Sequence, residues 1–239
     1  TAGDFVFRVA PSDAYAGIVA SEYAYNDLSA RKAAIISEST DYAQGLRTVF
    51  KEKFAELGGE IVADETYNPE DTDFRTQVTK AKASNPDVLY LVPQTTPKGV
   101  LLVKQVKEAG LNQQILTAEV LIGRNVIAEN AADVEGMIGV EQKFDDKAPK
   151  AAALLKKYTE QAKEEPPFPA FMSSAYDSVY LVADAISKNG YDGEKIRDYF
   201  YAVKDYEGAV GKVTIDESGD VVLDFSVKQA KNGELVTLK

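Results

Sequence analysis

Lys32-Ala-Ala-Ile-Ile-Ser-Glu-Ser-Thr-Asp-Tyr-Ala-Gln-Gly-Leu46 reads as a strand, a polar turn and the opening of a helix. Ala33 to Ile36 is a short apolar run, the pattern of a strand buried on both faces. Ser37 to Asp41 supplies the turn, and Thr40 or Asp41 caps the helix by accepting a bond from one of its free N–H groups. In an open parallel sheet, ligands bind in the crevice beyond the carboxyl ends of the strands. Glu38, Ser39, Asp41 and Tyr42 stand at such an end.

Working outward, the unit repeats. A helix over about 42–57 places Leu46, Val49, Phe50, Phe54 and Leu57 on one face, and Gly58-Gly59 ends it. Ile61 to Thr66 is a second strand, after which Thr72 is expected to cap a helix over about 74–83. Asp87 to Val92 is the most apolar strand, with Pro93-Gln-Thr-Thr-Pro97 as its exit loop. Pro97 suits the first turn of the next helix, which runs to Gly110. Gln114 to Thr117 is a fourth strand, Ala118 to Arg124 its exit, and Gly136 to Gln142 a fifth strand. Upstream, Phe5 to Val9 is extended, and a helix begins at Ser12 or Asp13 and runs to about Leu28. Parallel strands need crossovers, so this alternation predicts an α/β domain, a parallel sheet flanked by helices. The common order 2-1-3-4-5 is assumed for it.

After Phe144 the pattern changes. Helices are expected over about 148–163, from the turn or linker Glu164 to Pro169 on to about Lys188, and over about 194–203. The long one has Ala175, Val179, Val182, Ala183 and Ile186 in register as its packing face. Val210 to Ile215 and Val221 to Val227 read as strands, and Asn232-Gly233 marks a hairpin. These helices carry apolar stripes, yet the chain supplies no parallel strands for them to cover.

The composition narrows the chemistry. With 45% hydrophobic and 27% charged residues the chain is an ordinary globular one, and its net charge of −11 argues against a nucleic-acid partner. There is no His, Cys or Trp, which removes Ser–His and Cys–His nucleophile pairs, thiolate and imidazole metal ligands and redox cysteines. Carboxylates, Lys, Tyr, Ser and Thr remain, and no motif calls for a cofactor or metal.

Four stretches together resemble a known family: Phe7-Arg-Val-Ala-Pro-Ser-Asp-Ala-Tyr-Ala-Gly17, Asp41-Tyr-Ala-Gln-Gly45, Tyr67-Asn-Pro-Glu-Asp-Thr-Asp-Phe74 and Tyr176-Asp-Ser-Val-Tyr-Leu-Val-Ala-Asp-Ala185. In this order they look like the type I periplasmic binding proteins of ABC importers, the branched-chain amino-acid (leucine/isoleucine/valine) group. The resemblance implies the periplasmic binding protein-like I fold: two Rossmann-like lobes, each a parallel sheet flanked by helices, that close on a ligand held between them. On that template residues 5–143 are a complete second lobe, 144–225 the helices and edge strands of part of the first, and 226–239 a crossover back. The first lobe's own strands belong upstream of Thr1, so the chain is expected to be a fragment.

The resemblance further implies solute capture: a small amino acid bound for a membrane permease, in the periplasm or outside the cell, with a lipid anchor in a Gram-positive source. In the family an aromatic in the turn at Tyr42 lines the pocket, and an acid at the place of Glu119 pairs with the ligand's ammonium. A solvent-facing Tyr and a solvated Glu are the plain alternatives. Relatives carry glycines and an aromatic where this chain has Pro93-Gln94-Thr95-Thr96, so Gln94 and Thr95 are polar pocket candidates or plain loop. Ser39 and Tyr15 complete the candidates, against a turn-shaping Ser and a Tyr packed on the first crossover. Two further readings stay open: the sensory ectodomain of a receptor, and a hydrolase working with Asp41 and Glu119. Self-association is an expected outcome of the uncovered helices.

Overall fold

The computed structural model describes residues 3–166 and 168–239; Pro167, in the expected turn between Glu164 and Pro169, lies outside them. The chain divides into two compact units. One holds Asp13–Glu141 with Phe225–Lys239, the other Gln142–Asp224 with the segment that ends at Ser12. The extended segment at Phe5 to Val9, expected to open the sheet domain, therefore groups with the helical unit, where Arg8 bridges Asp220.

The first unit alternates as read: α1 (Asp13–Glu22), β1 (Lys32–Glu38), α2 (Asp41–Glu56), β2 (Glu60–Tyr67), α3 (Arg75–Ala83), β3 (Val88–Val92), α4 (Thr96–Glu108), β4 (Gln114–Ala118), α5 (Arg124–Glu129), α6 (Ala131–Val134) and β5 (Ile138–Gln142). The order β2-β1-β3-β4-β5 is the assumed one, and the pairs from β2 to β5 are parallel. Two later strands, β8 (Phe225–Lys231) and β9 (Glu234–Thr237), extend the sheet beyond β5 to seven strands. They form an antiparallel hairpin whose turn, Asn232 at φ 54 and Gly233 at φ 77, needs the left-handed backbone those residues accept. The hairpin covers the residues expected to cross back toward this lobe, and they group with it.

Side chains alternate across β1 and β3 with a period of two. Ala34, Ile36, Leu89 and Leu91 pack with Val78, Leu102, Val103 and Val106 on one face. Ala33, Ile35, Tyr90 and Val92 pack with Ala16, Leu46, Phe50 and Phe54 on the other. Phe50 stacks on Tyr90 with ring centroids 4.2 Å apart. Helix α1 ends at Glu22 and passes into a π-helical turn, Tyr23–Asp27, rather than running on as a regular helix. Helix α3 lacks the expected Thr72 cap. Gln105 of α4 takes that role, accepting the Phe74 N–H at 2.6 Å and donating to the Thr72 carbonyl at 3.0 Å.

The second unit holds α7 (Pro149–Ala162), α8 (Pro169–Asn189), α9 (Gly193–Tyr201) and a two-stranded ladder of β6 (Tyr206–Glu207) and β7 (Lys212–Val213). The strand expected over Val210 to Ile215 shrinks to β7, and Ile215 meets Val221 only as an isolated bridge. The core gathers Leu181, Ala185, Phe200, Val203, Val213 and Ile215. Buried Asp177 accepts the Ala209 and Val210 N–H groups at 2.7 and 2.8 Å, closing the loop between β6 and β7 onto α8.

The packing face of α8 is not the expected one. Ser173, Ser174, Asp177, Leu181 and Ala185 are buried, whereas Val179 is 67% and Val182 42% exposed. Apolar residues in register mark a face that could be buried, but burial needs a partner surface. Among the described residues of this unit the only sheet is that two-residue ladder.

Candidate functional site

The carboxyl ends of β1, β3 and β4 come to one edge of the seven-stranded sheet, as three adjacent parallel strands must. Each delivers a loop. After β1, Thr40 caps α2 by accepting the Ala43 N–H at 3.4 Å, which places Tyr42 in the helix's first turn. After β3, Pro93 and Gln94 lead into α4, whose first turn holds Pro97. After β4, a single 3₁₀ turn, Glu119–Leu121, carries the acid. The last two loops are pressed together at Gly99: a Cβ there would stand 2.4 Å from Leu121 and 2.7 Å from Pro93.

Tyr42 and Glu119, 77 residues apart in sequence, meet directly: the Tyr42 hydroxyl donates to Glu119 Oε1 at 2.8 Å. Burial pushes the Glu119 carboxyl up to about 7. Its own backbone N–H and the Tyr42 bond pull the other way, while Asp13 and Glu141 push it further up. Glu141 is itself paired with Lys228 of β8. Burial and the neighbouring Glu119 raise the Tyr42 hydroxyl above its ordinary value, so it stays a donor. When ionised, a carboxylate set in this way is a strong hydrogen-bond acceptor.

The other candidates sit on the same edge with looser ties. Gln94 and Thr95 present exposed side chains, while Thr96 Oγ1 donates to the Val120 carbonyl at 3.0 Å and so joins their loop to that of Glu119. Ser39 is exposed; its N–H donates to the Tyr67 carbonyl at 2.8 Å and its hydroxyl to Asn68 Oδ1 at 3.4 Å, which makes it a turn residue on the β2 side. Tyr15, in the first turn of α1, is half exposed. The structure therefore brings Tyr42 and Glu119 into contact, ties the loop of Gln94 and Thr95 to them, and leaves Ser39 and Tyr15 without a bond to the pair. Glu38, at the end of β1, is not one of these candidates, yet it is buried and bonded to the Gln94 loop. Its one sequence signal is a charge just beyond the apolar run Ala33 to Ile36.

Comparison with known proteins follows this geometry. Residues 1–234 match the sequence pattern of a family described as periplasmic binding protein. A leucine-, isoleucine-, valine-, threonine- and alanine-binding protein of Pseudomonas aeruginosa is 28% identical over 225 residues, which is 93% of this chain and 59% of that protein. A leucine-binding protein of Thermotoga maritima superposes with a TM-score of 0.88 at 28% identity, covering 100% of this chain and 68% of its own. A branched-chain amino acid transporter substrate-binding protein of Streptococcus pneumoniae, in complex with isoleucine, superposes with a TM-score of 0.79 at 29% identity, over 98% and 68%. The chain thus spans a little under three fifths of the curated relative's length.

Proposed function

The chain belongs to the periplasmic binding protein family, a family of binding proteins rather than enzymes, and on that premise we propose that the whole protein captures a small amino acid for a membrane permease of an ABC importer. The Tyr42–Glu119 pair carries this reading. It offers a partly desolvated carboxylate, steadied by a hydroxyl, where the sheet's strands end. The relatives named above bind leucine, isoleucine and other small amino acids.

In this proposal Asp13–Glu141 with Phe225–Lys239 is one lobe, the one that receives the ligand's ammonium, and hinge closure sequesters it. Gln94 and Thr95 line the approach, Ser39 shapes the edge, and Tyr15 stands near the hinge. The helical unit is part of the other lobe, which parallel strands would complete. The site of action is periplasmic or extracellular, with a lipid anchor if the source is Gram-positive. Among the described residues no helix is long and apolar enough to cross a membrane. Without those strands, the exposed stripe of α8 is a surface for self-association.

The test is calorimetry of the full-length protein against a panel of amino acids, repeated with Glu119→Gln. The variant should lose roughly 1.5–3 kcal/mol, the range for a hydrogen bond to a charged group. Binding of every amino acid at unchanged affinity would remove Glu119 from the site.

A further inference from the structure

Four bonds close a ring around the strand ends. Tyr42 of α2 donates to Glu119 at 2.8 Å. The residue after Glu119, Val120, accepts from Thr96 at 3.0 Å. Two residues before Thr96, the Gln94 N–H donates to Glu38 Oε2 at 2.7 Å. The Glu38 carbonyl accepts from Gln44 Nε2 at 2.8 Å, and Gln44 lies on α2 beside Tyr42. Arg47, on the next turn of α2, holds Gln44 in place through Gln44 Oε1 at 2.8 Å.

Glu38 is the unusual member. It is 2% exposed and takes its bonds from a backbone N–H and, at 3.4 Å, from the Tyr67 hydroxyl. Among the described residues it makes no ion pair. A buried carboxylate without a cation is costly, and an apolar residue would pack β1 at less expense. What a carboxylate adds is a strong, directional acceptor that fixes a loop before any ligand arrives.

We propose that Glu38 is a positioning residue of the ligand site: its buried carboxylate locks the β3 exit loop at Gln94, and through Thr96 and Val120 that lock sets where Glu119 and Tyr42 meet the ligand. The inference rests on the reading that this sheet edge receives the ligand. Glu38 itself touches none.

The experiment uses the full-length protein, with L-leucine as probe. Amide hydrogen exchange of the free protein is read first. Glu38→Ala should speed exchange at the Gln94 N–H about tenfold or more while Leu89 to Leu91 stay protected, and Glu38→Gln, which keeps an acceptor oxygen, should restore the slow rate. Calorimetry should then show the L-leucine Kd about tenfold weaker in Glu38→Ala and close to wild type in Glu38→Gln. If Glu38→Ala does not fold, Glu38→Asp keeps the charge but falls a methylene short of Gln94, and the same two changes are expected of it. Unchanged exchange at Gln94, or wild-type affinity with the loop freed, overturns the proposal. Failure of the wild type to bind L-leucine or any other amino acid of the panel, or a Glu119→Gln variant that binds as tightly, counts against the function proposed above. The exchange measurement still decides the lock.

Discussion

Val92 and Val179 are the same residue with opposite fates. Val92 ends β3 and is fully buried; Val179 lies on the apolar stripe of α8 and is 67% exposed. The two units differ in the same way. In the sheet unit each helix stripe meets one face of a sheet, and the sheet's faces divide the core between them. In the helical unit α8 buries two serines and an aspartate while turning valines outward. An apolar stripe is a capacity for burial, and what realises it is the surface that arrives opposite.

The largest expected effect sharpens that contrast. Phe50 is fully buried, stacked on Tyr90 at 4.2 Å and on Phe54 at 5.5 Å. Phe50→Ala should destabilise the sheet unit by about 3–5 kcal/mol, the transfer loss plus the cavity left behind. Hydrogen exchange read separately on peptides of each unit should show the loss in the sheet unit alone. Equal loss of protection in both would mean that they unfold as one, and the comparison would break.

The same contrast explains what could be read from sequence. The sheet unit was legible because its signals are local and agree: an apolar run in β1, glycines after α2, Pro97 at the head of α4, Asn232-Gly233 in the hairpin. Where a distant side chain substituted for a local one, reading failed. Gln105 replaced Thr72 as the cap of α3 because a buried amide reached across from α4. Residues 210–215 have a strand's composition, but a strand needs a neighbour along its length, and here β6 offers two residues and Val221 a single bridge. Of the candidate site, the strand-end positions of Tyr42 and Glu119 are legible in the sequence. Their mutual bond and the Glu38 tie are tertiary facts that no spacing along the chain encodes.

Acidity gives an intermediate effect that also separates the units. Folded Glu119 titrates at about 7, above the ordinary 4.5, because burial penalises its charge. The unfolded chain therefore loses this proton first, and the sheet unit's stability should fall as pH rises from about 4.5 to about 7, then level. The proposed ammonium binding runs the other way, since it needs the carboxylate. Affinity for an amino acid should be about tenfold lower at pH 6 than at pH 8, following the ionised fraction of a group at about 7. Calorimetry across that range checks it, and a flat profile would show Glu119 already ionised at pH 6. In the helical unit Arg8 holds Asp220 below the usual carboxylate range, and Lys188 with Tyr199 does the same for Asp184. Their contribution is present above the ordinary carboxylate pKa and is lost only as pH falls through the lowered values, so this unit should not respond between pH 6 and 8.

The smallest effect is the most telling. Val179→Ala removes methyl groups that already face solvent in this chain, so it should change the stability of the isolated 239-residue chain by less than about 0.5 kcal/mol. Val92→Ala, with the same chemistry at a buried position, should cost on the order of 1.5–3 kcal/mol. Two conditions should bring the values together. If copies of the chain associate through the stripe, Val179→Ala should weaken the dimer in sedimentation, and its stability cost should grow with protein concentration, because a surface buried by mass action contributes only when the partner is present. If upstream strands of the full-length protein cover α8, Val179→Ala should cost there about what Val92→Ala costs here, independent of concentration. A substitution that stays neutral in both settings would make Val179 a surface residue in the complete protein. The stripe on α8 would then be no evidence for a missing sheet.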